Sequence, residues 1–186
     1  MGYLSQKLMS ASRRVAFVSI LTALSVSFRY LKNALLPVQF VNIPLAFTMI
    51  AGLYTDWVGG ALVGLLSYAL SDALISVGPW TLINGVLASL IGAVWSLFKR
   101  LGDTYLAVIA YLSTFFFDIF SSFLFYLAFG LPLREAFVTG LVGLFIPVYG
   151  GGLIGVGPVT EAITAIVVVG LMKSLKRVVE VCGLAR

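Results

Sequence analysis

The sequence predicts an all-α integral membrane protein, a single transmembrane domain over residues 1–186, from three observations. Hydrophobic residues make up 61% of the chain and charged residues only 10%, against about 25% charge in an ordinary soluble domain. Apolar runs such as Trp57–Val77, Trp80–Phe98 and Tyr105–Phe129 reach the length of about 20 residues that crosses the hydrocarbon core. Lys and Arg lie mostly at the ends of such runs. We therefore expect a multi-pass protein of the cell membrane, embedded in the lipid bilayer.

Six transmembrane helices are expected, with both termini cytoplasmic. The first runs over Val15–Leu36, and a second, shorter one over Val38–Tyr54. The three runs named above are the third, fourth and fifth. The last begins after Gly157-Pro158 and ends near Leu175. Aromatic rings, which favour the membrane interface, lie near the ends of these spans at Tyr30, Trp57, Trp80, Trp95 and Tyr105.

The distribution of basic residues sets the direction of the spans. Six crossings place nine Lys and Arg residues on the cytoplasmic side and three outside, Arg29, Lys32 and Arg134, as the positive-inside bias requires. A seventh crossing at Ala136–Tyr149 would move the C-terminal basic cluster outside. We therefore expect 134–157 to be a long external connection between helices five and six. The sequence leaves open whether Ala136–Tyr149 is a loop, a re-entrant helix or part of a span.

Several function classes are excluded by composition. The chain has no His and one cysteine, Cys182, so a Cys/His metal site and a disulfide framework are not expected. It lacks the Gly-Lys-Ser/Thr motif of P-loop ATPases and any nucleophile–base pair that includes His. We expect no enzyme activity, no cofactor and no metal. Because topology accounts for the basic residues, we expect no nucleic-acid partner either.

Small residues recur at every fourth position on several predicted helices, a spacing that lets helix backbones approach closely in lipid. On helices three and four the pairs are Gly60/Gly64, Gly85/Ser89 and Ala88/Gly92, and we expect them to pack within the protein. On helix one the stripe is Ser19, Ala23 and Ser27. This stripe suits either internal packing or the docking of a separate membrane subunit.

Three acids within or beside apolar spans are candidates for binding a ligand. Asp118 lies near the middle of helix five, where a charged side chain costs about 2.5–3.5 kcal/mol to insert. Its alternative role is a structural one, bonded to neighbouring hydroxyl groups. Asp72 lies toward the outer end of helix three, and its alternative is an interfacial carboxylate. Glu161 lies near the start of the last helix, where it would otherwise complement the helix dipole.

Other polar and aromatic residues lie toward the same predicted outer side. Trp80 and Asn84 share a helix face and suit a heteroaromatic ligand, although Trp80 also fits an interfacial anchor. Arg29, Lys32, Gln39 and Asn42 surround the junction of helices one and two, as ligand contacts or as solvated side chains. Together with one aromatic residue of the external connection, the candidate substrate-binding residues are Arg29, Asn42, Asp72, Trp80, Asn84, Asp118, Tyr149 and Glu161.

Four segments carry a resemblance to a known family: the basic lead and small-residue helix at 13–24, Gly-Gly-Ala-Leu-Val-Gly at 59–64, Gly-Pro-Trp-Thr-Leu-Ile-Asn-Gly at 78–85, and Gly-Pro-Val-Thr-Glu-Ala-Ile-Thr-Ala at 157–165. On these segments the chain resembles the substrate-binding S component of energy-coupling-factor (ECF) vitamin transporters. The likeness covers nearly the whole sequence, and its motifs are of moderate specificity.

The resemblance implies a function and partners. An S component captures a water-soluble vitamin near the outer face and works with a transmembrane coupling protein and two cytoplasmic ATPase subunits. The family's Ala-x-x-x-Ala docking motif matches Ser19, Ala23 and Ser27, with Ser in place of the first Ala. The acids would favour a positively charged or donor-rich ligand, such as a thiamine- or pyridoxine-like compound, whereas Arg29 and Lys32 would favour the opposite. The vitamin itself is not readable.

Three other readings of the sequence remain. One is a structural membrane scaffold similar to the rod-shape-determining protein, which shares the six-helix plan and predicts no small-molecule pocket. A second is a stand-alone small-molecule transporter, against which the lack of clear inverted repeats counts mildly. A third is a membrane-embedded enzyme acting on lipid, for which the predicted cytoplasmic side offers only the turn residues Asp56 and Asp103.

Overall fold

The computed structural model describes residues 11–35, 40–145, 149–150, 153–154 and 157–181. For 149–150, 153–154 and 178–181 it describes the backbone alone. This part of the chain is almost entirely helical. Its helices are α1 (Ala11–Leu35), α2 (Ile43–Tyr54), α3 (Trp57–Ile75), α4 (Pro79–Trp95), α5 (Asp103–Ala128), α6 (Leu133–Gly143) and α7 (Gly157–Val181). The two-residue strands β1 (Tyr149–Gly150) and β2 (Leu153–Ile154) pair antiparallel between α6 and α7.

Five of the described helices are long and apolar enough to cross a membrane: α1, α3, α4 with the 3₁₀ turn that extends it to Phe98, α5 and α7. Their outward faces carry many exposed large apolar side chains, for example Leu82 and Ile166, each 70% exposed. In water such surfaces would be costly, whereas lipid solvates them. The prediction of a helical multi-pass membrane protein is therefore confirmed.

Helix α2 differs from the predicted second span. The span was expected over Val38–Tyr54, but the helix begins at Ile43 and has 12 residues, a length of about 18 Å at 1.5 Å per residue. Asn42 starts it, because its side-chain oxygen accepts a hydrogen bond from the N–H of Leu45 at 3.2 Å. Pro44 lies in the first turn, where its missing N–H costs nothing. Every residue from Pro44 to Leu53 is buried, so α2 is the core around which longer helices pack.

Helices α3 and α4 pack most closely, at the small residues that the sequence singled out. A Cβ atom added at Gly60 would lie 2.2 Å from the carbonyl oxygen of Gly92, and one added at Gly64 would lie 2.6 Å from the carbonyl carbon of Ala88. Gly52 of α2 also approaches the Gly92 carbonyl oxygen, at 2.3 Å from a built Cβ. The packing interpretation is confirmed for these residues, and Gly92 lies at the contact of three helices.

One end of the bundle collects basic residues, and we call it the basic end. Arg14 of α1 pairs with Asp56 at the α2–α3 junction, 2.5 Å apart, and Lys176 of α7 pairs with Asp103 at the start of α5, 2.6 Å apart. Lys99, after α4, donates to the carbonyl oxygen of Thr55. These contacts place the start of α1, two helix junctions and the last turns of α7 at the same end.

Asp56 is predicted to make stability depend on pH at the basic end. Its side chain caps α3 by accepting from the N–H of Gly59 at 2.8 Å. Partial burial raises its pKa, but the Gly59 hydrogen bond and Arg14 outweigh burial and hold the pKa below its usual value. A lowered pKa stabilises the fold above the unfolded pKa and loses that contribution as pH falls. We expect Asp56→Ala to lower the free energy of unfolding by about 1 kcal/mol.

Thermal unfolding in detergent between about pH 3 and pH 6 checks this expectation. Asp56→Asn keeps a capping oxygen but cannot titrate, so it should flatten the part of the pH profile that Asp56 supplies. A wild-type profile that Asp56→Asn leaves unchanged would show that Asp56 carries no such linkage.

The connection after α5 contains a helix that folds back. Ala136 of α6 is fully buried, and Gly140 packs against the backbone of Phe123 in α5. The rings of Phe123 and Phe137 meet edge-on, with centroids 5.9 Å apart. The N–H of Gly157 donates to the carbonyl oxygen of Leu144 at 3.2 Å. Helix α7 therefore begins beside the end of α6, and the described part of this connection contains a helix that packs back on α5.

One of the aromatic rings predicted to lie at the membrane interface, that of Trp95, lies in the core instead. Trp57 and Tyr105 are 65% and 68% exposed, as rings at a span end can be, but Trp95 is fully buried. Its indole N–H donates to the hydroxyl of Ser113 in α5 at 3.0 Å, which satisfies the donor away from water. The interpretation of Trp95 as an interfacial anchor is wrong because it fills the space between α4 and α5.

Candidate functional site

Polar side chains from five helices lie at one level of the bundle, which we call the polar layer. Each of these side chains is separated by 15 or 16 positions from a residue of the basic end. The pairs are Arg29 with Arg14, Asp72 with Asp56, Asn84 with Lys99, Asp118 with Asp103 and Glu161 with Lys176. At 1.5 Å per residue the polar layer is about 22 Å from that end. Because the hydrocarbon core is about 30 Å thick, this is the far half of the bundle.

A cavity of about 200 Å³ opens in the polar layer. Four of the residues predicted for binding lie in its wall, Arg29, Asn42, Asn84 and Asp118, and Lys32 joins them. Each belongs to or borders a different part of the fold: α1 supplies Arg29, the start of α2 supplies Asn42, α4 supplies Asn84 and α5 supplies Asp118. The structure therefore brings together side chains that are up to 89 positions apart in the chain (29 to 118).

Asp72 serves as a buried counter-ion rather than an interfacial carboxylate. Its Oδ1 lies 2.7 Å from the guanidinium of Arg29, and its side chain is 1% exposed. The same guanidinium donates to the hydroxyl of Ser71 and lies 5.0 Å from the centroid of the Tyr68 ring. The interpretation of Asp72 as reaching outer water is therefore wrong, and it does not line the cavity. It holds Arg29 in the cavity wall.

Asn42 connects three helices at the cavity. Its side-chain oxygen accepts from the hydroxyl of Tyr68 at 2.8 Å while also capping α2, and its own N–H donates to the hydroxyl of Thr164 at 2.9 Å. Asn42 is 5% exposed. The alternative that Asn42 is a solvated surface residue is therefore wrong. The contacts orient its amide, so this part of the wall is preorganised.

The Asp118 carboxylate faces the cavity without a structural partner. Ser121 donates to the backbone carbonyl oxygen of Asp118, at 3.3 Å, and Thr114 donates to the carbonyl oxygen of Ala110, at 2.9 Å. Neither hydroxyl bonds the carboxylate. The structural alternative for Asp118 required such bonds, so these contacts do not support it. Among the described residues no hydrogen bond or ion pair to this carboxylate is formed. The Asp118 carboxylate is therefore available to accept a hydrogen bond from a ligand.

Glu161 is buried behind the cavity rather than in its wall. Its residue is fully buried, and neither carboxylate oxygen has a hydrogen-bond partner among the described residues. Tyr111 lies near without hydrogen-bond geometry, and Asp118 is close enough for their charges to interact. Since α7 has no acid in its first turn, and dipole effects fade beyond that turn, the capping interpretation of Glu161 is wrong.

Trp80 does not reach the cavity. Its indole N–H donates to the carbonyl oxygen of Ser76 at 3.3 Å, and its ring packs on Phe125 with centroids 6.4 Å apart. The expectation that it walls the ligand beside Asn84 is not met. Tyr149 lies in β1, and its side chain falls outside the part that the structure describes, as does Gln39.

Other residues of the cavity wall were missed in the sequence. Tyr68 and Phe117 stack with their centroids 5.6 Å apart, and together they form the aromatic part of the wall. Tyr68 precedes Asp72 by one helical turn, which was the available signal. Phe117 belongs to a run of aromatic residues without any distinguishing pattern. Asn33 and Ser121 complete the polar part. Among the described residues, no group of three or more acidic or Cys side chains is placed to hold a metal ion.

Comparison with protein families, characterised proteins and solved structures finds no match for this chain. The cavity and its wall are therefore the basis for assigning a function.

Proposed function

We propose that this chain is a membrane-embedded substrate-binding subunit, the S component of an ECF-type importer. In this role it captures a water-soluble vitamin or related micronutrient from outside the cell. A transmembrane coupling protein and two cytoplasmic ATPase subunits then drive delivery to the inside. The protein lies in the cell membrane, with α2 taking part as a sixth, short span.

The orientation follows from charge. The basic end holds Arg14, Lys99 and Lys176, and the positive-inside bias puts such an end in the cytoplasm. Both described chain ends then face the cytoplasm, and the polar layer lies in the outer half of the membrane. A ligand reaches that half from outside without crossing the whole bilayer.

The cavity is the observation that carries the proposal. An apolar cavity of about 150 Å³ binds benzene, so a cavity of about 200 Å³ has room for a single substituted ring. Buried polar groups in a membrane are costly and mark functional sites. Here they converge from four separate elements on one hollow. A structural scaffold would gain nothing from this arrangement, and the cavity therefore favours the binding subunit.

The exposed face of α1 supports the proposed coupling partner. Ser19, Ala23 and Ser27 are all exposed, whereas Val18, Leu21 and Ser25 turn toward the bundle. The stripe therefore does not pack against the other described helices of this chain. A flat row of small residues lets a second transmembrane helix approach closely, as the coupling protein would.

A thermal-shift screen of the purified protein against water-soluble vitamins tests the proposal. One vitamin should stabilise the protein by about 2.7 kcal/mol when its concentration is a hundredfold above its Kd. Asp118→Asn should weaken that vitamin at least about tenfold because it removes an acceptor charge from the cavity wall. A flat response across the panel would instead favour the scaffold.

A further inference from the structure

The acidic side chains around the cavity are unequally paired. The described residues of the polar layer and the cavity wall hold two cationic side chains, Arg29 and Lys32, and three carboxylates, Asp72, Asp118 and Glu161. Arg29 is committed to Asp72 at 2.7 Å. Neither Asp118 nor Glu161 forms an ion pair with a described cation. In an apolar environment an uncompensated charge is expensive.

Hydrogen-bonding capacity is unbalanced in the same direction. The Asp118 carboxylate has no donor, the buried side-chain oxygen of Asn33 has none, and neither oxygen of Glu161 has one among the described residues. Buried acceptors in proteins are normally paired. A site whose unpaired groups are acceptors suits a ligand that brings donors.

The shape of the cavity restricts the ligand further. Its volume of about 200 Å³ holds one substituted ring. Tyr68 and Phe117 provide an aromatic wall, against which a flat ring can lie. Asn84, also in the wall, makes no hydrogen bond within the described structure, and its carboxamide can both donate and accept.

We propose, building on the proposed function, that the ligand is a ring-sized organic monocation with N–H donors, held by Asp118 and flanked by Tyr68 and Phe117. Asp118 accepts from the cationic donor group and supplies its counter-charge. Asn84 contacts a neutral polar group of the same ring. Asp72 acts at a distance by neutralising Arg29, which would otherwise repel a cation from the cavity.

Three probes of one shape test this class: benzamidinium, benzamide and benzoate, which are cationic, neutral and anionic. Each probe is added at about 20 mM, and the shift in melting temperature is recorded. A probe that binds with a Kd of about 1 mM stabilises the protein measurably at this concentration. We expect benzamidinium to bind at least about tenfold more tightly than benzoate. Stronger binding of benzoate, or no shift with any probe, would overturn the proposal.

Two variants and a control assign the preference to residues. Asp118→Asn should weaken benzamidinium about tenfold and leave benzamide nearly unchanged. Asp72→Asn should release Arg29 and turn the preference toward benzoate. Asp103→Asn removes a carboxylate from the basic end, about 22 Å away. It should change neither the binding of benzamidinium nor that of benzamide. Equal effects of Asp118→Asn and Asp103→Asn would contradict the assignment.

The proposed function and this inference fail in different ways. An anionic vitamin that binds tightly in the vitamin screen would uphold the binding subunit and refute a cationic ligand. A flat response to both the vitamins and the three probes would refute both.

Discussion

Replacing Gly60 with valine is expected to destabilise the bundle strongly. Even a single Cβ atom at this position would lie 2.2 Å from the Gly92 carbonyl oxygen and 2.9 Å from the Cα of Gly52. Both obstacles are backbone atoms, which cannot move aside as the end of a flexible side chain can. Overpacking of a core commonly costs about 1–3 kcal/mol and sometimes more, and three helices meet here. We expect a loss of at least about 3 kcal/mol.

The yield of monodisperse protein in detergent and its melting temperature measure this effect. Gly170→Ala is the matched control, because a Cβ atom at Gly170 meets nothing within 4 Å. In a helix interior that change should stabilise by up to about 1 kcal/mol. A Gly60→Val protein that melts with the wild type would show that α3 and α4 do not pack at these glycines.

Arg29→Met is expected to destabilise the protein by about 3–5 kcal/mol. It removes the partner of Asp72, whose side chain is 1% exposed, and leaves a buried carboxylate without its counter-ion. The double variant Arg29→Met/Asp72→Leu should recover most of this loss, since it removes both charges. Thermal unfolding of the two single variants and the double variant gives the coupling between the residues.

An exposed ion pair provides the control for Arg29→Met. Arg14 and Asp56 have side chains that are 42% and 37% exposed, and such pairs contribute about 0–1 kcal/mol. Arg14→Met should therefore cost far less than Arg29→Met. Equal losses in the two variants, or no recovery in the double variant, would mean that Asp72 and Arg29 are not a buried pair.

Composition was sufficient to predict the membrane class and the long helices, because a lipid-facing helix needs about 20 apolar residues and these are visible as runs. The contact of Gly60 with Gly92 was also predictable, since small residues at four-residue spacing mark close helix packing. In both cases the signal is local to one helix. Neither depends on knowing which helices are neighbours.

The start of α2 and the partner of Asp72 were not predictable in the same way. Run length indicated a helix from Val38, and the cap formed by Asn42 is a single residue within a polar junction. The Arg29–Asp72 pair joins α1 to α3, and the separation of 43 positions carries no periodic signal. Which acid faces a ligand and which faces a counter-ion depends on how helices turn about their axes. The sequence therefore identified the acids, but it did not show which of them faces the cavity and which pairs with a cation.

The same geometry explains why Asp118 is the central residue of the proposed site. Asp72 is occupied by Arg29, and Glu161 is sealed behind the cavity wall. Asp118 alone of these three carboxylates lines the cavity. Its neighbours Tyr68 and Asn42 are held by hydrogen bonds and ring stacking, so a ligand meets a wall that is already in place, which lowers the cost of binding.

Calorimetric titration of the best-stabilising vitamin into the wild type and a cavity-filling Ser121→Phe variant tests the central claim most directly. Ser121 lines the cavity and does not bond the Asp118 carboxylate, so a phenyl group there occupies the ligand's place. We predict one vitamin bound per wild-type chain and none per Ser121→Phe chain, with both proteins folded. Equal binding by the two proteins would contradict the claim that this hollow is the binding site.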